Sequence, residues 1–264
     1  MGNEGQKPES LQGQLQNALA QATEQLGCPL AVSSVPVYRV KTSAYVAYRS
    51  PLAEVLEKRF PASSRDWAMD LLHVLSDTSP WQVVRVFPHG LEFRYCESML
   101  ADWLNALLDM TISLPSLAPP VTGAYLPLQY LQCRCLSYLY LGQSEGFITL
   151  SPGEKSLLWQ WETPSPLPWL QESETWRFVS PPAWEVLSQV VTVTDILAQG
   201  RPIPWPTVAY RFGKTIETFE CVSCIGGTTS LELVQARLGL MAVAQRLLLR
   251  IFWEQFGIVP RLEF

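Results

Sequence analysis

The stretch Trp205–Phe264 constrains this chain more than any other. From Leu231 onward, Leu231, Val234, Leu238, Met241, Leu248, Phe252 and Phe256 recur at helical spacing, so they line one face of a single long helix. Leu240, Val243, Leu247 and Ile251 widen that stripe, which predicts a core helix rather than a surface one. Gly257 supplies the stop. Upstream, Val208 to Ile225 reads as a second helix through Phe212, Ile216 and Phe219, and Gly226-Gly227 separates the two. Helices joined by a short glycine turn pack antiparallel, so the C-terminal part is expected to be a helical bundle.

The first 110 residues have a different texture. Ser10 is a candidate N-cap for a helix carrying Leu11, Leu15, Ala18, Leu19, Ala22 and Leu26 on one face, closed by Gly27. The β-branched and aromatic run from Leu30 to Tyr48 predicts one or two strands, with Arg39 and Lys41 on one face and Tyr38 and Val40 on the other. Ser50 as N-cap and Pro51 at the first helical position open a helix through Phe60, and a second follows from about Ser64 to Leu75. Trp81–Phe87 and Leu91–Cys96, around Pro88-His89-Gly90, predict a β-hairpin leading into a helix over Glu97–Leu108. The expected fold class is therefore α+β: a small α+β domain over 1–110, a proline-punctuated linker at 111–127, and an all-α bundle over 128–264. A Trp- and Pro-rich insertion interrupts the bundle at about 142–180, with a short hairpin expected near Gly146–Glu154.

With 48% hydrophobic residues and 16% charged, the chain has the material for a core, and disorder is expected only at its ends. The net charge of −5 argues against nucleic acid as a partner of the whole chain. Only residues 205–264 lack an acidic excess, with six Lys and Arg against five Asp and Glu. A local basic patch there would still suit RNA. No leader or membrane span is read, so the expected location is cytoplasmic.

Signatures of catalysis are missing: no Gly-x-Ser-x-Gly elbow, no phosphate loop and no His-Glu-x-x-His. The reading is of a chain with no catalytic residues, no metal and no cofactor. Cys221-x-x-Cys224 has no second CxxC or His pair beside it, and all six cysteines are read as reduced packing residues. His89 reads as a turn residue. Two groups of basic residues are candidates for binding. Arg246 and Arg250 stand one turn apart on the last helix, with Arg211, Lys214 and Arg261 as neighbours; a solvated helix face is the plainer alternative. Near the N-terminus, Tyr38, Arg39, Lys41, Tyr45, Tyr48 and Arg49 interleave basic and aromatic residues, a pattern that ordinary strand composition also explains.

The wording of the C-terminus goes further than its periodicity. Ala236-Arg237-Leu238, Phe256-Gly257-Ile258 and Pro260-Arg261-Leu262 resemble the closing motifs of the anticodon-binding domain of arginyl-tRNA synthetases, and Gln129, Tyr130, Arg134 and Ser137 resemble its opening helix. Thr42–Phe60 and Phe87–Leu108 follow the order of that family's N-terminal additional domain, with Ser43-Ala44-Tyr45 where Gly-Asp-Tyr is expected and Pro88-His89-Gly90-Leu91 for Gly-Pro-Gly-Phe. The catalytic domain that would lie between has no counterpart, and neither a His-x-Gly-His-like nor a Lys-Met-Ser-Lys-like motif occurs. The resemblance therefore implies a relative of arginyl-tRNA synthetase without aminoacylation, whose partner is tRNA or another structured RNA. It implies that aromatic and polar side chains of the penultimate helix contact splayed bases. Tyr210 matches a family tyrosine there, whereas Glu217-Thr218-Phe219-Glu220 stands for Asn-x-Phe-Tyr and places carboxylates where phosphate would be repelled. The RNA-binding set expected is Arg39, Lys41, Arg49, Tyr210, Arg211, Lys214, Arg246, Arg250 and Arg261. The alternative is a protein-interaction or assembly factor that binds a protein partner through exposed tryptophans of the insertion. A subunit acting in trans with a separate synthetase would combine the two.

Overall fold

The structure is a computed structural model that describes residues 10–40, 45–61, 65–76, 81–86, 90–110, 112, 125–152, 159–178, 180–200, 202–223 and 229–259. Lys41, His89, Cys224, Gly226, Gly227, Arg261 and most of the expected linker lie outside the described residues. The chain is a mixed α+β protein that divides into two compact units, one over Glu9–Leu100 and one over Ala101–Phe264, so the division falls ahead of the expected linker.

The first unit begins with α1 (Leu11–Gln25), capped as its sequence predicts: the Ser10 hydroxyl accepts from the Gly13 N–H at 3.0 Å, and Gly27 takes a positive φ of 79° just beyond the end. β1 (Tyr38–Arg39), β2 (Ala47–Ser50), β3 (Trp81–Val86) and β4 (Gly90–Tyr95) form an antiparallel sheet in the order β1-β2-β4-β3. The hairpin is in the expected place, with Val86 opposite Gly90 and Trp81 opposite Tyr95. Two helices, α2 (Leu52–Arg59) and α3 (Trp67–Ser76), pack on this sheet, and α1 packs on α3. Alternation along β4 sends Leu91, Phe93 and Tyr95 to the buried side and Glu92 and Arg94 to the other. The Tyr95 hydroxyl reaches across to donate to the Leu11 carbonyl at 2.6 Å, tying α1 to the sheet. Ser50 is not the N-cap expected of it. It ends β2, where its hydroxyl donates to the Pro36 carbonyl at 2.7 Å and accepts from the Leu52 N–H at 3.2 Å.

The helix α4 (Glu97–Leu108) spans the division. In the second unit, α5 (Leu126–Ser144) precedes a hairpin of β5 (Thr149–Pro152) and β6 (Trp159–Thr163), followed by α6 (Pro181–Gln199), α7 (Trp205–Val222) and α8 (Leu231–Phe256). α8 packs against α5, α6 and α7. Its residues from Leu238 to Phe252 are all buried, as befits a helix surrounded on every side. Ser230 caps its start, and Gly257, at φ 65°, ends it with a six-to-one bond from Ile258 N–H to the Phe252 carbonyl at 3.0 Å. Gly239 permits the insertion to dock: a Cβ there would lie 2.6 Å from Leu167 Cδ1 and 2.8 Å from Trp169 Cη2. Among the described residues, no helix is long and apolar enough to cross a membrane.

Candidate nucleic-acid interface

The site is built on α7. Its buried positions Ala209, Phe212, Ile216 and Phe219 turn inward, which leaves Tyr210, Lys214 and Cys221 along an exposed stripe with Glu217 beside them. Gly213 and Glu220 turn toward α5. A Cβ at Gly213 would stand 3.0 Å from Leu128 Cδ2, so glycine lets the two helices approach closely. On the other flank, Arg211, Lys214, Thr215 and Thr218 line a cleft of about 190 Å³ completed by Pro182 and Glu185 of α6.

Three of the expected residues are thus brought together: Tyr210 (54% exposed), Arg211 and Lys214. Lys214 is paired with Glu217 at 3.1 Å, whereas no side-chain hydrogen bond or ion pair engages Arg211 among the described residues. Two further residues, on the α5 flank of α7, were left out of the expected set. Tyr130, 53% exposed on α5, faces solvent with Arg134 one turn on, and the Arg134 guanidinium stands over the Tyr130 ring at 5.6 Å. Their spacing with Ser137 and Leu141 was the available signal, since those four positions form an i, i+4, i+7, i+11 stripe on α5 that is exposed except at the half-buried Arg134. Arg134 donates from Nη2 at 2.7 Å and from Nε at 3.2 Å to one oxygen of Glu220, and the hydrogen bond raises its pKa further.

Arg246 and Arg250 are not part of any surface patch, and this corrects the expectation for the last helix. Each is 6% exposed. Arg246 donates to the Met110 and Trp159 carbonyls, both at 2.7 Å, and lies 4.3 Å over the Trp159 ring. Burial lowers its pKa to about 10 against the opposing pull of Asp109. Arg250 pairs with Glu254 at 2.7 Å. Both arginines fasten α8 within its own unit because α8 is enclosed and has no solvated face at those positions.

The N-terminal candidates are likewise occupied. Arg39 folds over the Tyr48 ring at 5.3 Å and donates to the Ala47 carbonyl at 3.3 Å, and Tyr48 is wholly buried. Arg49 stands opposite Glu92 in the sheet and pairs with it at 2.9 Å, as does Arg94. Burial by itself would raise the Glu92 pKa, but the hydrogen bonds and charges of Arg94 and Arg49 outweigh it and hold the carboxyl below its usual range. Tyr38 alone of the tyrosines there is strongly exposed, at 62%.

The insertion differs from the alternative reading. Trp159, Trp169 and Trp176 are buried, and Trp169 and Trp176 pack against Phe178. The cysteines divide: Cys28, Cys133 and Cys135 are buried, as read, but Cys96 and Cys221 are exposed. Burial pushes the Cys135 thiol far above its ordinary range, so it stays protonated. Among the described residues, no group of three or more His, Cys, Asp or Glu is placed to hold a metal ion. The chain matches no family model, no curated protein and no solved structure.

Proposed function

We propose that this protein is a non-catalytic RNA-binding protein, related to arginyl-tRNA synthetase by the resemblance of its C-terminal motifs, in which a small α+β domain precedes an anticodon-binding-like helical domain. The observation that carries the reading is a set of exposed side chains on two helices that pack together, Tyr130 and Arg134 on α5 and Tyr210, Arg211 and Lys214 on α7. Exposed aromatic rings stack on unpaired bases, and arginine and lysine donors beside them hold base edges or phosphates. Arg134 and Lys214 are each matched by a carboxylate, so the surface is nearly neutral and stacking is its main source of affinity. The acidic chain as a whole fits that division of labour.

A protein partner is the second reading. It no longer rests on Trp159, Trp169 and Trp176, which are buried, but on Leu126, Tyr140 and Leu141, all about half exposed on α5. Binding of a labelled short unstructured RNA, followed by anisotropy, separates the two. Arg211→Glu and Tyr210→Leu should each weaken it about tenfold, within the range of a single phosphate or stacking contact. Variants that bind RNA as the parent does would remove the α7 surface from the proposal.

A further inference from the structure

We infer that Glu220 is a positioning residue that holds Arg134 ready for an unstacked nucleotide, and not a carboxylate that repels RNA; this rests on the function just proposed. The sequence places Glu220 where a negative charge faces an expected phosphate. The structure gives that charge a single use. Among the described residues, both side-chain hydrogen bonds of Arg134, from Nε at 3.2 Å and Nη2 at 2.7 Å, converge on Glu220 Oε1. A guanidinium carries five N–H donors, so Nη1 and the second proton of Nη2 are left over. The side chain is 41% exposed where the Glu220 side chain is 14% exposed, so those donors are on the solvent side of the pair.

The ring of Tyr130 lies under the same guanidinium at 5.6 Å and is itself half open to solvent. A base stacked on Tyr130 would meet the spare Arg134 donors beside it, positioned to take a base-edge acceptor or the adjoining phosphate. Holding the arginine in advance lessens the side-chain entropy lost on binding. The pair is poorly explained as a stabilising bridge, since the second oxygen of Glu220 is buried without a hydrogen-bond partner. The ligand class is therefore a single-stranded segment that presents at least one unstacked nucleotide.

Positioning and repulsion predict opposite signs. The test is a double-mutant cycle on the full chain, with a labelled short unstructured RNA as probe and anisotropy as readout. If Glu220 positions Arg134, Glu220→Ala weakens binding about fivefold, and Glu220→Gln, which keeps an acceptor, recovers part of the loss. Adding Glu220→Ala to Arg134→Ala then causes no further loss. If Glu220→Ala and Glu220→Gln both bind as tightly as the parent or tighter, the inference is overturned and the proposed function stands. If the parent chain binds no RNA, the proposed function falls and the inference with it. Glu220→Gln conserves shape and one acceptor, so its affinity decides the sign even where Glu220→Ala folds poorly.

Discussion

Arg246 shows how a residue can be read correctly as basic and wrongly as exposed. Its charge sits under Trp159 and is answered by two carbonyls rather than by a carboxylate. The pKa of about 10 lies below the unfolded arginine value, so protonation disfavours the folded state. Both states remain protonated at neutral pH, and that penalty lifts only as pH rises through the folded value. Truncation is nevertheless damaging, because it strands two buried carbonyls and empties the space under the indole. Arg246→Ala should lower stability by about 3 kcal/mol in urea unfolding and leave RNA affinity of the folded protein within twofold. Normal stability with lost RNA binding would return Arg246 to the surface that its sequence suggested. Glu92 makes a second residue-scale case. Its folded pKa lies below the unfolded value of about 4.3, so the stability it contributes is present above that pH and is lost as pH falls through the folded value. Glu92→Gln should therefore destabilise at pH 7 by about 1 kcal/mol, a figure kept small by the exposure of both arginines. The difference from the parent should shrink in acid-titrated thermal melts below pH 4 or so. A difference that is constant across that range would mean the ion pair contributes nothing.

Elements were legible where local rules act alone. Ser10, Gly27 and Gly257 mark helix ends in the sequence and do so in the structure, and the β3–β4 hairpin and α4 lie where their residues place them. What periodicity does not carry is the number of neighbours an element will have. α8 has apolar residues on one recognisable face, yet it is enclosed by three helices and the insertion, so Arg246 and Arg250 had no outward direction available. The same long-range packing buries Trp159, Trp169 and Trp176, whose density in the sequence suggested a sticky surface. Ser50 departs for a related reason: it is held in β2 opposite Leu91, a residue far off in sequence. Gly239 tests this packing. Its missing Cβ is needed by the Trp169 ring, so Gly239→Ala should destabilise by about 1–3 kcal/mol and shift tryptophan emission to the red as the insertion loosens. Unchanged unfolding and emission would show that Leu167 and Trp169 repack freely.

At the scale of the whole molecule, an acidic chain of net charge −5 is proposed to bind a polyanion. The candidate surface resolves this by being nearly neutral and aromatic. Tyr210 was legible from the resemblance and Arg211 and Lys214 from their charge, while Tyr130 and Arg134, which the resemblance marks only as part of an opening helix, join the candidate residues because α5 packs on α7. Salt dependence separates stacking from phosphate contact, because a surface led by stacking releases few counterions. The measurement to make is the affinity of the full chain for total tRNA and for an unrelated RNA across low to near-physiological salt. Micromolar or tighter binding is expected at low salt, with a log–log slope of only about −0.7 to −1.4, the release for one or two phosphate contacts. Absence of binding at the lowest salt, or a steep slope that Tyr130→Leu and Tyr210→Leu leave untouched, would contradict RNA binding led by stacking.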